Sequence, residues 1–337
     1  MYAKHLEFLV CPECRNEFKL DRIFEVKEKK IKSGELYCSS CELSYPIIKY
    51  IPRFVSRDNY ATGFGFQWLK HSTTQSDSKT LTSISEKRFF EATQWPRDLQ
   101  EEVILEIGCG SGRFTEQAVS TGAMVISMDY SCAVDANYEL NGSKNNIFIV
   151  QADIYKMPFK NEYFDKIFCF GVLQHTPDVT KSFMSLPGFI KSGGRLAIDV
   201  YRKHKGLNLI FRSNTRPETR TKYWIRPLTL RMKPETLYRF VKAYIDFMWP
   251  VAIFLDKLPY GNIINWLLLI ADYRGINNLS EINLKNWAIL DTFDMLSPTY
   301  DFPQKIDTVN KWFVDAGLKD IDVHYGYNGI EGRGVKP

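Results

Sequence analysis

The segment Val103 to Thr115, VILEIGCGSGRFT, constrains the fold more than any other stretch of the chain. Val103 to Ile107 form an apolar run broken only by Glu106, and three glycines follow at alternate positions, Gly108, Gly110 and Gly112. Such an order predicts a buried strand, a tight turn, and a helix from about Arg113. Glycine lets a backbone approach a ligand closely and leaves bare amides at a helix N-terminus, where electronegative groups are stabilised.

The dinucleotide fingerprint G-x-G-x-x-G would need its third glycine at position 113, which is Arg113; the spacing here is G-x-G-x-G. Further landmarks follow in order. Met124 to Asp129 is an apolar run ending in an acid 21 residues after Gly108, and Ile147 to Asp153 is a second such run. Phe164 to Phe170 leads into Gly171-Val-Leu-Gln-His-Thr-Pro-Asp178, and Ser192 to Tyr201 supplies a glycine turn and a fifth strand. Together these features resemble the class I S-adenosylmethionine-dependent methyltransferases over about residues 100 to 201. The resemblance implies a seven-stranded Rossmann-like α/β sheet with S-adenosyl-L-methionine as cofactor. By the same resemblance, Gly108, Cys109, Gly110 and Gly112 approach the methionine portion and Glu106 holds its amino end directly or through water. Asp129 with Tyr130 takes the ribose, Asp153 and Ile154 the adenine edge, and Phe170 and Gly171 the methyl-transfer face. His175 is the candidate base, because it follows the fourth strand closely and histidine titrates near neutrality. A purely structural histidine is its alternative. Cys109, Cys132 and Cys169 read as small packing residues.

Near the N-terminus, Cys11-Pro-Glu-Cys14 and Cys38-Ser-Ser-Cys41 are separated by 23 residues. Two such knuckles supply four thiolates for a tetrahedral, structural Zn2+, and a unit this small would otherwise lack a core. Residues 1 to 55 therefore read as a zinc ribbon, with a strand over Ile23 to Lys32, a turn at Ser33-Gly34, and Tyr45 to Pro52 as a closing edge strand. This resembles the ribbons placed before some bacterial methyltransferases.

Residues 56 to 100 read as a linker with a covering helix from Ser83 to Gln94, started by a capping box between Ser83 and Glu86. Phe66, Gln67 and Trp68 are candidates to fold over the cofactor mouth. The core comprises residues 101 to 201 and 303 to 337, closed by a helix over Pro303 to Gly317 and strands at Asp320 to Tyr325 and Gly332 to Lys336. Between them lies a mainly helical insertion, 202 to 302, expected to set substrate choice. From Arg202 to Lys242 there are 12 Lys or Arg against two acids, an excess of +10 in a chain of net charge +5. Such a block attracts anions, whether phosphate, a carboxylate-bearing sugar, nucleic acid or an acidic membrane surface. Ala243 to Ala271 is apolar and aromatic, but Pro250, Asp256, Lys257 and Pro259 interrupt it and argue against a spanning helix. It reads as core, with peripheral membrane contact as the alternative.

Seven cysteines, four of them in C-x-x-C pairs, and a charged N-terminus without a secretory pattern point to a reducing, cytoplasmic setting. The expected activity is O-methylation of a small or glycan-type, anionic acceptor, such as a sugar on an anionic or lipid-linked carrier. Polar residues expected to face it are Tyr201, His204, Asp291, Asp294, Tyr300, His324 and Tyr325. The rival is an RNA methyltransferase, which the basic block would suit. Against that, Gly171-Val-Leu-Gln174 is not the Asn-Pro-Pro-Tyr or Asp-Pro-Pro-Tyr type used on planar exocyclic base amines, which leaves ring-nitrogen and ribose methylation open. A non-catalytic scaffold is the remaining alternative.

Overall fold

The computed structural model of the 337-residue chain describes residues 1–56, 58–203 and 221–337. His204 and the arginines Arg212, Arg216 and Arg220 of the basic block lie outside them. The first unit is a four-stranded antiparallel sheet of β1 (Lys19–Lys27), β2 (Lys30–Cys38), β3 (Leu43–Ile48) and β4 (Ile51–Pro52), in that order. Two sequence expectations fail here. The first turn sits at Glu28 and Lys29, both at positive φ, and Gly34 lies inside β2 opposite Ile23 and Ile47. Its glycine serves close strand approach, since a Cβ there would stand 2.5 Å from the Arg22 carbonyl oxygen. Tyr45 to Pro52 is not one edge strand, because Lys49 and Tyr50, also at positive φ, fold it into the β3–β4 hairpin.

Three helices follow: α1 (Thr62–Lys70), α2 (Asp77–Thr80) and α3 (Ile84–Thr93). Ser83 makes no side-chain cap on α3. Asp77 takes that role, its carboxylate accepting the Ser85 and Glu86 amides at 3.1 and 2.8 Å, while Glu86 pairs with Arg97. The expected capping box is thus replaced by a cap from outside the helix.

The central sheet alternates strand and helix as the apolar runs predict. Its elements are β5 (Val103–Ile107), α4 (Arg113–Ser120), β6 (Met124–Asp129), α5 (Val134–Asn141), β7 (Ile147–Gln151), β8 (Phe164–Phe170), α6 (Val179–Met184) and β9 (Ile190–Val200). Four helices, α7 (Thr221–Thr229), α8 (Pro234–Asp256), α9 (Gly261–Leu267) and α10 (Glu281–Leu296), intervene before α11 (Ile306–Asp315), β10 (Lys319–Gly326) and β11 (Gly329–Val335) close the sheet. The strand order is β10-β11-β9-β8-β5-β6-β7. Strands β5 to β9 pair in parallel, whereas β11 is antiparallel to both β9 and β10. The order reverses at β5, and ligands of such sheets bind beyond the strand C-termini at that switch point.

One apolar cluster runs from the ribbon (Phe8, Leu9, Leu36, Ile47) into the sheet (Leu105, Ile126, Phe148, Ile167). A second covers the opposite face with α3 and α4. The insertion has its own core from α8, α9 and α10 around Trp249, Trp266, Trp287 and Phe293. Pro250 does not interrupt this region as expected: α8 passes through it for 23 residues. Among the described residues, no helix is long and apolar enough to cross a membrane.

Candidate active site and metal centre

The glycine turn is built by three different constraints. Gly108, Gly110 and Gly112 all have positive φ, which other residues adopt only with strain. A Cβ at Gly108 would lie 2.2 Å from Val172, and one at Gly112 would lie 2.2 Å from Asn137 of α5. Both glycines therefore serve packing. Gly110 lies under the indole of Trp68, whose Nε1 would stand 3.0 Å from a Cβ there, at the edge of the space beyond the strand C-termini.

That space is a cavity of about 180 Å³ at the switch point. Its floor comprises Ile107 to Ser111, Met128 to Tyr130, Ile154, and Phe170 to Val172; α1 roofs it with Phe64, Gln67 and Trp68, and α10 walls it with Trp287, Asp291 and Asp294. Of the expected cover, Gln67 and Trp68 line the cavity. Phe66 instead packs into the insertion core against Tyr238 and Phe293.

Asp129 is half-buried, and desolvation raises its pKa against hydrogen bonds from Ser131 and from the Gly110 amide, 2.9 Å away. Tyr130 stacks on Tyr60, ring centroids 4.8 Å apart. Asp153 is off the cavity wall and accepts the Tyr155 amide. Glu106 is also off the wall. One of its oxygens accepts hydroxyls from Thr115 and from Ser127 (2.7 Å), and burial pushes its pKa up to about 7. The structure thus places Glu106 beneath the turn, where it braces β5, β6 and α4. Cys109 lines the turn, and burial raises its thiol well above the ordinary value, so it is no nucleophile at neutral pH.

His175 follows β8 and reaches the cavity with Phe64 and Tyr201 against its ring, centroids 5.0 and 5.3 Å away. Its Nδ1 lies 2.9 Å from the Tyr300 carbonyl oxygen, an atom that only accepts. Nδ1 therefore carries the proton and Nε2 keeps a bare lone pair. Burial lowers its pKa, opposed by Asp294 and Asp301, so the ring is neutral at pH 7. Beside it the Tyr201 hydroxyl donates to Asp294 at 3.3 Å, and Gln67 donates to the other oxygen of Asp294 at 3.3 Å. Asp291 and Asp294 share one face of α10, and that face is the cavity wall. Tyr300 reaches the site through its backbone, whereas Tyr325 is half exposed and His324 pairs with Asp322 and Glu331.

Several lining residues carried no sequence signal. Arg88 of α3 pairs with buried Asp199 at 2.5 Å, and Asp199 also accepts the Gly171 amide and Asn328 Nδ2. Arg113 is buried, and burial next to Arg88 lowers its pKa to about 10. Gln75, Tyr273 and Tyr327 come from segments far from any motif and Arg88 from the covering helix, where nothing set it apart, and only the fold assembles them. Arg113 could have been flagged, because it directly follows Gly112.

In the ribbon, the sulfurs of Cys11, Cys14, Cys38 and Cys41 lie within 4.8 Å of one another. Three pairs stand at 3.3, 3.5 and 3.7 Å, close to the edge of about 3.8 Å that a tetrahedron with 2.3 Å zinc–sulfur bonds requires. Without a cation the thiols cannot ionise together. The Asn16 amide and a Cys38 hydrogen bond draw Cys14 down to about 6, whereas desolvation and its sulfur neighbours push Cys41 up to about 12. The donor set and spacing fit zinc, which would hold all four as thiolates.

Residues 105–198 match the family described as a methyltransferase domain, and residues 3–49 match that described as Trm112p-like protein. The chain is 30% identical over 100 residues to a demethylmenaquinone methyltransferase of Thermobifida fusca, covering 29% of this chain and 42% of that one. It is 29% identical over 125 residues to a ubiquinone biosynthesis O-methyltransferase of Nitrosomonas europaea, covering 35% and 52%. It is 28% identical over 106 residues to a tRNA U34 carboxymethyltransferase of Nautilia profundicola, covering 31% and 35%. The chain spans about half or less of each relative. It carries an S-adenosylmethionine-dependent methyltransferase domain behind a Trm112p-like zinc ribbon.

Proposed function

We propose that this chain, with its methyltransferase domain and zinc ribbon, methylates a hydroxyl group of a small, glycan-type acceptor. The observation that carries the reading is His175: a neutral, buried imidazole whose Nδ1 is committed to a carbonyl and whose Nε2 is bare, on the wall of the cavity beside the glycine turn. S-adenosylmethionine supplies an activated methyl group, and transfer from a sulfonium is an in-line displacement that needs alignment above all. The residues that would hold it are Gly108 to Gly110, Asp129 with Tyr130, Ile154, Phe170 and Gly171. His175 Nε2 then accepts the proton of the acceptor hydroxyl. Asp294, Asp291, Gln67 and Tyr201 offer the acceptor and donor atoms that a polyhydroxylated molecule pairs with, and Trp287 offers a flat apolar face. Two relatives point toward small acceptors, one of them named an O-methyltransferase.

The test is turnover with a panel of sugars and carrier-linked sugars, comparing wild type with His175→Ala. The variant should lose about a hundredfold or more in kcat while its affinity for S-adenosylhomocysteine stays within twofold. Full activity in the variant would remove His175 from the chemistry.

A second reading is RNA methylation, favoured by the tRNA-modifying relative and by the +10 block. Two described members of that block are spent internally. Arg226 donates to the Met295 and Pro298 carbonyls, and Lys222 pairs with buried Asp301 at 2.6 Å. RNA affinity that falls steeply with salt, and that reversal of Arg212, Arg216 and Arg220 to Glu abolishes, would favour RNA over the glycan reading.

A further inference from the structure

The insertion leaves an apolar stripe uncovered that the catalytic reading does not use. On α8 the buried side is Leu237, Val241, Ile245, Trp249 and Ala252. The opposite side repeats phenylalanine every seven residues, Phe240, Phe247 and Phe254, at 57, 78 and 62% exposure. Seven residues advance a helix by nearly two turns, so the three rings share one face. The preceding helix α7 likewise exposes Trp224 and Leu228, one turn apart, at 84 and 67%.

The border of the α8 stripe is basic. Arg239 and Lys257 both stand about 100° round the helix from Phe240, on the same flank, and both are exposed. Two acids share that flank: Glu235, in the first turn of α8, and Asp246, which is clamped by Lys242 at 2.6 Å and Lys285 at 2.8 Å, lowering its pKa and cancelling its charge. Residues 202–233, which lead into α8, carry ten Lys or Arg against one acid. Lysine is depleted from protein–protein interfaces. Aromatic rings edged by Lys and Arg match the boundary between headgroups and acyl chains of an anionic bilayer.

We propose that α8, with α7 beside it in sequence, docks the protein peripherally on anionic lipid surfaces, the phenylalanine stripe entering the interface and the basic flank pairing with acidic headgroups. The docked face is one helix away from the site: α8 packs on α10, whose other side carries Asp291 and Asp294 on the cavity wall. An acceptor held at a membrane would therefore meet the cavity without the chain crossing the bilayer.

The experiment is flotation of the full chain with vesicles of phosphatidylcholine alone and of phosphatidylcholine mixed with phosphatidylglycerol, at low and high salt. Wild type should float with the mixed vesicles only, and less so at high salt. The double variant Phe247→Ser, Phe254→Ser should bind at least about tenfold more weakly, and Arg239→Glu with Lys257→Glu should remove the preference for phosphatidylglycerol. Both pairs are exposed, and an unchanged melting temperature shows that each variant folds. Failure of wild type to float with either vesicle overturns the proposal, as does equal binding to both. So does a concentration-dependent dimer that the serine variant dissolves, because the stripe is then a self-interface. None of these outcomes depends on which acceptor the enzyme uses.

Discussion

At the residue scale, two buried titratable groups sit within the methyltransferase domain with opposite consequences. His175 has its pKa lowered by burial, so it stays neutral below the ordinary value of 6.5. If it is the base, the acid limb of the kcat profile lies below pH 6.5 and activity is flat from there through neutrality; an acid limb above pH 7 would contradict this assignment. Glu106 is raised by burial from 4.5 to about 7. Below pH 4.5 it is protonated in both folded and unfolded chains and costs nothing. Between 4.5 and 7 the unfolded carboxyl ionises while the folded one holds its proton, so stability falls by roughly 3 kcal/mol across that window and then levels. Both hydroxyls donate to one oxygen of Glu106, an arrangement that an amide oxygen can reproduce. Urea unfolding of Glu106→Gln should therefore match wild type near pH 4 and exceed it by about that amount at pH 8. An equal pH dependence in both proteins would show that the carboxyl is ionised in the fold.

Among elements, the ribbon and the edge strand β7 depend on one another. The Phe54 amide donates to the Gln151 carbonyl at 2.8 Å, and Arg53 donates to the Gln151 side chain and to Asp135 at 3.0 and 2.6 Å. Gln151 donates onward to the carbonyl of Tyr130 on the cavity floor, and Arg15, next to Cys14, donates to the Met157 carbonyl at 2.8 Å. A structural zinc site contributes folding energy directly. Chelation, or Cys38→Ser, should unfold the ribbon, uncover the edge of β7 and speed hydrogen exchange over residues 147–159. Unchanged exchange there would mean that the ribbon is an independent appendage. The strand and helix pattern was readable because each central strand is a mainly apolar run, and glycines mark the turns after β5 and α4 and the start of β9. The ribbon turns at Glu28-Lys29 and Lys49-Tyr50 were not, since ordinary residues occupy positive φ there and the glycine nearby has a packing role instead.

For the whole molecule, the site divides along the same line. The residues on the strand ends, Gly108, Gly110, Asp129, Phe170, Gly171 and His175, were legible because their spacing follows the sheet's own order. Arg88, Gln75, Trp287 and Tyr327 were not, because they arrive from α3, from the loop after α1, from α10 and from the β10–β11 turn, and only tertiary packing joins them. Glu106 stands near the end of β5 where the pattern puts a carboxylate, with Thr115 and Ser127 donating to one of its oxygens below the turn. The insertion supplies both the acidic wall of the cavity and the outward aromatic stripe, so acceptor choice and location are carried by one helical layer. Native mass spectrometry of chelator-free protein, titrated with S-adenosylmethionine and S-adenosylhomocysteine, separates an enzyme from a scaffold. One zinc and one saturable cofactor per chain are expected, with cofactor binding lost in Asp129→Ala and zinc retained. Zinc without cofactor in the wild type would contradict the enzyme assignment and leave the fold as a scaffold.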